Sequence, residues 1–476
     1  MNFKNRISNV TECSRYDVTS PWNFKVVGSV PQIDATAADQ VMANAYNIFN
    51  NKNNWLKPAQ RIEILEKTAQ IMSSQIEELT NLAAAEGGKP YMDSKVEVIR
   101  AIDGVKNAIE CIRGDGGKEI PMNLNAGSAG RLAFTQKEPI GVVMSVSAFN
   151  HPLNLIVHQV IPGIAAGCPV IVKPAEDTAL SCFRLVEILY EAGLPEFYCQ
   201  AVATDNLDTA TKLITDQRVA FFSFIGSAKV GWMLRSKLAP GTRCALEHGG
   251  AAPVIMAEDA DCDAMVPLLA KGGFYHAGQV CVSVQRIFAH HSIAEKVAQA
   301  ISEVGAKYKV GDPLDKNTEV GPLIRPAELE RIDSWVQQAI AEGATLLSGG
   351  KKLSESTYAC TVLLNPSKES KVSQLEIFGP VICVYSYKDI DDAIHQANDV
   401  PYSFQASVAT KHIDTAMHCY KNLNASAVMV NDFTAFRVDW MPFAGLKQSG
   451  LGVGGIPYTF EDMQIEKMMV LKSDAL

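Results

Sequence analysis

The chain has 476 residues, of which 47% are hydrophobic and 20% are charged, and its formal net charge at pH 7 is −9. This composition is typical of a globular protein, and the length predicts two or three domains. The negative charge, without a dense Lys/Arg cluster, argues against nucleic acid as a partner.

Three features of the sequence concern the compartment. The eleven cysteines are scattered singly without a CxxC pair, which predicts reduced thiols in the cytoplasm and neither a disulfide framework nor a metal site. The N-terminus lacks the apolar core of a signal peptide, so no export is expected. The stretch 139–172 contains no Asp, Glu, Lys or Arg, but its prolines and polar residues predict buried strands and a helix, not a membrane span.

Short apolar runs rich in β-branched residues alternate with helical patterns, which predicts two α/β domains with parallel sheets that meet near residue 247. The first series of strands is expected at 141–147, 169–173, 200–204 and 219–224, with a helix over 178–193 that begins at a Thr cap. The second series is expected at 253–257, 285–290, 361–365, 381–386 and 427–431, with a helix over 327–343.

Two strand-like segments, 131–139 and 466–474, stand outside these two series. Unpaired, each would be an exposed sheet edge that invites association. We therefore expect them to pair with each other or with another subunit.

Glycines and charged residues follow the predicted strands of the first series, where α/β proteins bind ligands. The dinucleotide fingerprint GxGxxG is absent, but "FIGSAKVG" runs from a strand into a helix, and Gly226, Ser227 and Gly231 would let a phosphate approach the helix N-terminus. The alternative is a tight turn that needs glycine for its conformation only. Lys173 and Glu176 follow another strand and would bind ribose hydroxyls, with the carboxylate repelling a 2′-phosphate and favouring NAD over NADP. The alternative for this pair is an exposed ion pair at the following helix.

Three further residues carry groups that acyl chemistry requires. Asn150 follows a hydrophobic strand, and its amide would either donate to an oxyanion or satisfy backbone groups. Glu247 ends a strand beside Gly249 and Gly250, where desolvation would raise its pKa toward neutrality and let it activate water. Cys281 follows a Gly-Gln pair among small and β-branched residues, and is either a nucleophile or a small buried hydrophobe.

In this order, and over nearly the full chain, these motifs resemble those of the aldehyde dehydrogenase superfamily. The resemblance implies that Asn150 holds an oxyanion, that Glu247 of "LEHGG" is a base, and that Cys281 of "GQVC" is the nucleophile. In "EIFGPV" it implies a contact of Glu376 with the nicotinamide ribose and packing of Phe378 near the nicotinamide. The implied contacts to NAD, or to NADP, are Phe149, Lys173, Glu176, Gly226, Ser227, Gly231, Glu376 and Phe378.

The implied reaction oxidises a small polar or anionic aldehyde to the carboxylic acid with NAD(P)⁺. The Cys281 thiolate adds to the carbonyl, the oxyanion is held by Asn150, and after hydride transfer a water activated by Glu247 hydrolyses the thioester. The site is expected to lower the pKa of the thiol. One alternative is an acylating enzyme that passes the acyl group to coenzyme A, against which Glu247 argues because such relatives generally lack that base. Another is a non-catalytic protein that retains the fold, against which the three intact residues argue.

The resemblance also implies the architecture. The fold is expected to be an aldehyde dehydrogenase-like α/β fold, with two α/β domains of open, parallel-rich sheets and a small antiparallel strand pair for oligomerisation. The implied parts are an NAD-binding domain (1–120 and 140–247), a catalytic domain (248–448) and an oligomerisation segment (121–139 and 455–476). The assembly is expected to be a homodimer or homotetramer.

The runs "AFNHPLNLIVHQV" and "GLGVGGIPYTFEDM" are most similar to the branch of lactaldehyde and phosphonoacetaldehyde dehydrogenases, whose substrates are small, polar and often anionic. Arg100 and His151 are the predicted substrate-binding residues, because a cation is needed near the aldehyde. Alternatively, Arg100 pairs with Asp103 on its own helix and His151 satisfies a loop carbonyl. Val280 precedes the nucleophile and supplies no charge, so we expect a short aldehyde with a polar or singly anionic tail.

Overall fold

The computed structural model describes residues 1–4 and 14–476. Its strands, in chain order, are β1 Ser14–Thr19, β2 Val26–Gln32, β3 Glu119–Ile120, β4 Arg131–Pro139, β5 Val142–Val146, β6 Val170–Lys173, β7 Cys199–Ala201, β8 Val219–Ile225, β9 Arg243–Glu247, β10 Pro253–Met256, β11 Arg286–His290, β12 Thr345–Ser348, β13 Thr361–Leu364, β14 Val381–Tyr387, β15 Tyr402–Ser403, β16 Gln405–Ala409, β17 Ala427–Val430, β18 Leu446–Lys447, β19 Gly450–Leu451 and β20 Gln464–Lys472. Its helices are α1 Ala35–Asn50, α2 Pro58–Ser74, α3 Ile76–Gly87, α4 Tyr91–Gly114, α5 Asn154–Ala166, α6 Leu180–Glu191, α7 Leu207–Ile214, α8 Ala228–Arg235, α9 Cys262–Phe274, α10 Ala294–Lys307, α11 Pro326–Ala341, α12 Lys371–Gln374, α13 Ile390–Asn398, α14 Ile413–Asn422 and α15 Ile456–Asp462.

The first sheet has the strand order β19-β9-β8-β5-β6-β7, and all of its neighbours are parallel except β19 against β9. Successive side chains of β5 belong to two different hydrophobic cores, one formed with each layer of helices. Val143 belongs to the core with α2, α4, α5 and α6, and Met144 belongs to the core with α1 and α7. A sheet covered on both faces needs apolar residues on both sides, which explains why its strands are continuously apolar.

The second sheet has the order β12-β13-β14-β11-β10-β16-β17, with only β12 antiparallel to its neighbour. The predicted strands of the second series are all present. The strand β16, which lies between β10 and β17, was not predicted, because Gln405, Ala406 and Ser407 have little of the β-branched character that marks a strand.

A small sheet is built from β20, β4 and β3. The antiparallel pairing of β4 with β20 runs from Arg131 opposite Lys472 to Pro139 opposite Gln464, which confirms the predicted pairing of these two segments within one chain. The other edge of β4 pairs with β3. Helix α15 lies between β19 and β20 in the sequence and packs on α4 and α5. Its Ile456 and Phe460 belong to the hydrophobic core beside the first sheet.

The Thr cap predicted for the helix after β6 is wrong. Helix α6 begins at Leu180, and the backbone N–H groups of Leu180 and Ser181 donate to the buried carboxylate of Glu86 at 2.7 and 2.9 Å. Within the described ranges no helix is both long and apolar enough to cross a membrane. The uncharged stretch 139–172 folds mainly as β5, α5 and the start of β6, as expected.

Candidate active site

A cavity of about 790 Å³ opens at the carboxyl ends of β9, β8, β5 and β6, which are adjacent strands of the first sheet. Parallel strands place these ends at one edge, so residues distant in sequence meet there. The predicted residues that line the cavity are Phe149, Asn150, His151, Lys173, Glu176, Gly226, Ser227, Glu247, Cys281, Glu376 and Phe378. Gly231 and Arg100 lie outside this lining.

Cys281 reaches the cavity on a turn that follows α9. Three successive residues, His276, Ala277 and Gly278, have left-handed backbone conformations with φ of 50°, 53° and 69°, which reverse the chain over a short distance. The buried Gln279 side chain fixes this turn, donating to the carbonyl of Pro322 at 3.1 Å and accepting from the N–H of Ile324 at 2.9 Å. The "GQ" of the motif thus holds the nucleophile segment in place.

The two ionisable groups of the predicted chemistry have shifted pKa values. Burial raises the pKa of the Cys281 thiol to about 12, with the charge of Glu376 adding to this effect and that of Arg437 opposing it. The expectation of a lowered thiol pKa is therefore wrong. Burial also raises the pKa of Glu247 to about 7, with Arg437 opposing, in the direction that the sequence predicts.

Asn150 is buried, and its Nδ2 donates to the backbone carbonyl of Gln279 at 3.0 Å. This contact matches the alternative interpretation of Asn150, in which its amide satisfies a backbone group. A primary amide has two N–H groups, so the second is available to an oxygen in the cavity. The same contact ties the loop after β5 to the segment before Cys281.

The predicted cofactor residues form one side of the cavity. Nζ of Lys173 lies 3.1 Å from Oε1 of Glu176, and Lys173 is buried while the Glu176 side chain is 35% exposed at the rim. The rings of Phe149 and Phe378 are 5.8 Å apart and nearly perpendicular at 87°. Both rings belong to the same cavity lining as Cys281.

Glu376 enters the cavity beside the glycine pair that follows β9. Its Oε1 accepts from the N–H of Gly250 at 3.1 Å, and burial raises its pKa to about 8. A Cβ at Gly249 would lie 1.5 Å from the same oxygen. Glycine is therefore required at position 249 for Glu376 to occupy this position.

Gly231 has a different neighbour. A Cβ at this position would lie 2.0 Å from Cε1 of His248, whose ring Nδ1 donates to the carbonyl of Gly226 at 2.8 Å. His248 thus fills the space beneath the turn between β8 and α8, and Gly231 makes room for its ring. This packing favours the alternative interpretation, in which glycine at position 231 is needed for the local structure only. The predicted contact of Gly231 with a cofactor stays a prediction.

Arg100 does not pair with Asp103, which instead lies 3.6 Å from Lys106. Its Nε and Nη2 donate to the two carboxylate oxygens of Asp439 at 3.1 and 2.7 Å. Asp439 also accepts from Nε2 of His158 at 2.7 Å. Arg100 therefore spans from α4 to the segment that follows β17.

The sequence analysis missed Arg437, which lies in that same segment. Its guanidinium carbon is 3.5 Å from the ring centroid of Phe443, a residue of the cavity lining, and its Nη1 has no partner among the described residues. Its charge acts on Glu247 and on Cys281. The signal available in the sequence was an arginine five residues before the glycine-containing run "PFAGLKQSGLG" (442–452).

The alternative interpretation of His151, a ring that satisfies a loop carbonyl, is also not what the structure shows, because the ring nitrogens contact two side chains. Its Nδ1 lies 2.6 Å from Nζ of Lys89, and its Nε2 lies 3.3 Å from the hydroxyl of Tyr275. The ring is part of the cavity lining.

Comparisons with known proteins agree with this geometry. The sequence profile described as "Aldehyde dehydrogenase family" matches residues 9–469. The chain is 37% identical over 440 residues to the 3-sulfolactaldehyde dehydrogenase of Priestia megaterium, covering 92% of each protein. It is 33% identical over 461 residues to the lactaldehyde dehydrogenase of Methanocaldococcus jannaschii, covering 96% of this chain and 97% of the relative.

Solved structures support the same assignment. Aldehyde dehydrogenase 21 from Physcomitrella patens, in complex with the reaction product succinate, superposes with a TM-score of 0.94 at 32% identity and covers 99% of this chain and 98% of its own. Other similar structures were solved with NAD or with NADP. The resemblance to this family, to its lactaldehyde branch and to its fold is thereby confirmed.

Proposed function

The chain belongs to the aldehyde dehydrogenase family, and from this premise we propose that it oxidises a short aldehyde with one negative charge on its tail, such as 3-sulfolactaldehyde. It is an NAD(P)-dependent aldehyde dehydrogenase. The proposal concerns its substrate, its preferred cofactor and the roles of its residues.

The observation that carries the proposal is the charge of the cluster Arg100, Arg437 and Asp439. Asp439 is bound by Arg100, and the charges of both Arg100 and Asp439 act on Arg437. Two guanidinium groups and one carboxylate leave a single positive charge, which lies close enough to Glu247 and Cys281 to act on both. One unpaired guanidinium N–H suits the oxygens of a singly charged sulfonate or carboxylate.

The residue before the nucleophile supports the same substrate class. Val280 is buried and packs with Phe404 and Phe443, so it supplies no second cation. A doubly charged phosphonate would need more compensation than the one net positive charge of the cluster supplies. This favours a sulfonate or carboxylate tail over a phosphonate tail.

The chemistry proposed for the site starts from the thiol. The Cys281 thiol loses its proton to solvent as its sulfur adds to the aldehyde carbonyl. The second N–H of the Asn150 amide and the Cys281 backbone N–H stabilise the resulting oxyanion, where a single donor contributes about 3 kcal/mol. A bound NAD(P)⁺ would supply the acceptor for the hydride that leaves the tetrahedral carbon. Glu247 then takes a proton from water, whose hydroxide attacks the Cys281 thioester and releases the acid and the thiol.

The chemistry of the cavity wall fits a nicotinamide dinucleotide. Lys173 offers a buried ammonium, Glu176 offers a carboxylate at the rim, and Gly226 and Ser227 line the cavity at the end of β8. We propose that Lys173 and Glu176 bind the adenosine ribose, and that NAD is preferred because the carboxylate repels a 2′-phosphate.

We further propose that the chain forms homodimers or homotetramers in the cytoplasm. On β20, the neighbouring Met468, Met469, Val470 and Leu471 are exposed, and this strand is a free edge of the small sheet. An exposed apolar edge is suited to pairing with a second copy. The cysteines of the described residues are all free thiols, which fits a reducing compartment.

A steady-state comparison of two aldehydes tests the proposed function. 3-Sulfolactaldehyde and lactaldehyde share the same three-carbon hydroxyaldehyde and differ by the sulfonate, so their kcat/KM values isolate the charge. We expect NADH formation with both and a preference of at least about tenfold for the sulfonate, the value of one charge-assisted hydrogen bond. Cys281→Ala should be inactive with both while still binding NAD.

Three outcomes would contradict the proposal. A preference for lactaldehyde would remove the assignment of an anionic substrate. Substantial turnover by Cys281→Ala would remove the nucleophile. A requirement for coenzyme A would mean that the thioester of Cys281 is transferred and not hydrolysed by water.

A further inference from the structure

A buried polar network lies between the loop that carries Asn150 and the segment that carries Cys281, and the proposed reaction does not use most of it. Lys89 and Glu97, both buried, form an ion pair between Nζ and Oε2. The other oxygen of Glu97 accepts the backbone N–H groups of Leu153 and Asn154 at 2.9 and 3.0 Å. Glu97 therefore joins α4 to the first turn of α5.

Lys89 has a second partner, since its Nζ lies 2.6 Å from Nδ1 of His151. An ammonium group can only donate, so Nδ1 must be the acceptor and carry no hydrogen. The neutral imidazole then carries its hydrogen on Nε2, which lies 3.3 Å from the Tyr275 hydroxyl. The contact with Lys89 thus determines which tautomer of His151 lines the cavity.

On the basis of the proposed function, we propose that Lys89 is a positioning residue for substrate recognition. Its ammonium holds His151 as the neutral Nε2–H tautomer, whose N–H donates to the Tyr275 hydroxyl, so that the ring in the cavity lining carries no charge. The negative tail of the aldehyde is then recognised by the arginine cluster alone. His151 contributes polarity and shape near the carbonyl, and no charge.

The surroundings of His151 are consistent with an uncharged ring. Burial lowers the pKa of His151 well below its usual value, and the charge of Lys89 adds to this effect. The titratable and charged groups that face the ring are Lys89, Glu97, Arg100, Tyr275, His276 and Arg437. The carboxylate among them, Glu97, has an oxygen 3.8 Å from Nδ1 and is engaged by Lys89. Without the ammonium, this carboxylate would face the ring uncompensated and favour its protonation.

The test is the pH dependence of substrate discrimination in Lys89→Met. The measured quantity is the ratio of kcat/KM for 3-sulfolactaldehyde to that for lactaldehyde, between about pH 8 and pH 6. The steps at Cys281 and Glu247 are common to both aldehydes, so they cancel in this ratio. Glu247 could still affect binding of the anionic aldehyde as it titrates. We therefore divide the ratio of the variant by the ratio of the parent at each pH, and this quotient removes the effect of Glu247. We expect this quotient to rise by about fivefold or more as the pH falls, because the Glu97 carboxylate, no longer engaged by Lys89, opposes the effect of burial and lets His151 become a cation.

Two further variants identify the responsible group. Lys89→Met/His151→Asn should show a flat quotient, because no imidazole remains to titrate. Lys89→Arg should resemble the parent, because a guanidinium also only donates. Calorimetric binding of 3-sulfolactate, the non-reacting product acid, should follow the same pH dependence and provides a readout other than turnover.

A quotient that does not change with pH in Lys89→Met would overturn the proposal. So would the same rise of the quotient in Lys89→Met/His151→Asn as in Lys89→Met. If Lys89→Met does not fold because Glu97 is left unpaired, Lys89→Gln removes the positive charge but keeps a neutral donor beside the Glu97 carboxylate, and a rising quotient is still expected. Failure of the proposed function is distinct, since the parent itself would then form no NADH or would prefer lactaldehyde, whereas failure of the present proposal shows only in the variant's quotient relative to the parent.

Discussion

Arg100 on α4 binds both carboxylate oxygens of Asp439, with Nε at 3.1 Å and Nη2 at 2.7 Å. Burial alone would raise the pKa of Asp439, but the hydrogen bonds from His158 and Arg100 outweigh it and hold that pKa well below its usual range. Asp439 is therefore ionised. Its ion pair with Arg100 holds the segment that carries Arg437 and leads to Phe443 against α4, and we call this contact the tether. The first two predictions follow from this tether.

Replacing Arg437 should weaken recognition of the anionic aldehyde. Arg437→Leu removes the guanidinium with an unpaired N–H, so KM for 3-sulfolactaldehyde should rise by about tenfold or more, as expected for a lost charge-assisted hydrogen bond. KM for lactaldehyde should change little. Arg113→Leu, at the exposed end of α4, is the matched control and should leave both values unchanged. Equal losses with both aldehydes would show that Arg437 supports the site without binding the tail.

Replacing Arg100 should affect stability as well as recognition. Arg100→Leu leaves the buried carboxylate of Asp439 without its bidentate partner, which should cost about 2 kcal/mol, less than for a fully buried pair because the Arg100 side chain is 26% exposed. The melting temperature should fall, and KM for 3-sulfolactaldehyde should rise. Arg100→Leu/Asp439→Asn should recover the melting temperature, because the unpaired charge is gone. A double variant no more stable than the single one would contradict the tether.

The pKa of Glu247 sets the expected pH dependence. A carboxylate base acts only when ionised, so with a pKa of about 7 the parent's kcat should fall below about pH 7 when thioester hydrolysis is rate-limiting. Glu247→Gln should lose this acid limb, turn over slowly at all pH values, and show a burst of NADH. Mass spectrometry after rapid quenching should detect the acyl adduct on Cys281. Absence of both burst and adduct would place Glu247 before thioester formation, in deprotonation of the thiol.

Cofactor preference should depend on the carboxylate at the rim. Glu176→Gln removes the charge that repels a 2′-phosphate, so the ratio of kcat/KM for NAD to that for NADP should fall, by about tenfold for one removed repulsion. Glu328→Gln, at another point of the cavity lining, is the control and should leave the ratio unchanged. Equal use of both cofactors by the parent would refute this role of Glu176.

Charge on the exposed edge strand should disrupt assembly. Met469→Glu/Leu471→Glu places two carboxylates on β20, where an approaching second copy would have to bury them. Sedimentation velocity should show smaller species than for the parent, with an unchanged melting profile at low concentration. Lys4→Glu is a control on an exposed residue outside the small sheet. An unchanged oligomer would exclude β20 from the interface.

Most of the fold was predictable because most strands of the two large sheets are local apolar runs between helical patterns. The exceptions depend on distant residues. Strand β16 is buried between β10 and β17 but contains Gln405 and Ser407, whose polarity does not indicate a buried strand. The N-terminus of α6 is satisfied by Glu86, which lies 94 residues before Leu180. No local pattern contains such partners.

The site was predictable where a motif carries the residue, and less so where the residue depends on tertiary neighbours. Asn150, Glu247 and Cys281 line one cavity, although their roles stay predictions. Arg437 and Asp439 belong to no motif quoted from the sequence, and their importance follows from contacts with Phe443 and Arg100. The pKa of the thiol was predicted with the wrong sign, because burial cannot be read from the residues adjacent to Cys281.

The same burial has a consequence for the idle enzyme under oxidative stress. Peroxides and alkylating agents attack the thiolate of cysteine and hardly the thiol. With a pKa of about 12, Cys281 is overwhelmingly protonated at neutral pH before the aldehyde arrives. A nucleophile kept as its conjugate acid reacts slowly with such reagents, so Cys281 should survive exposure to them longer than a thiolate would.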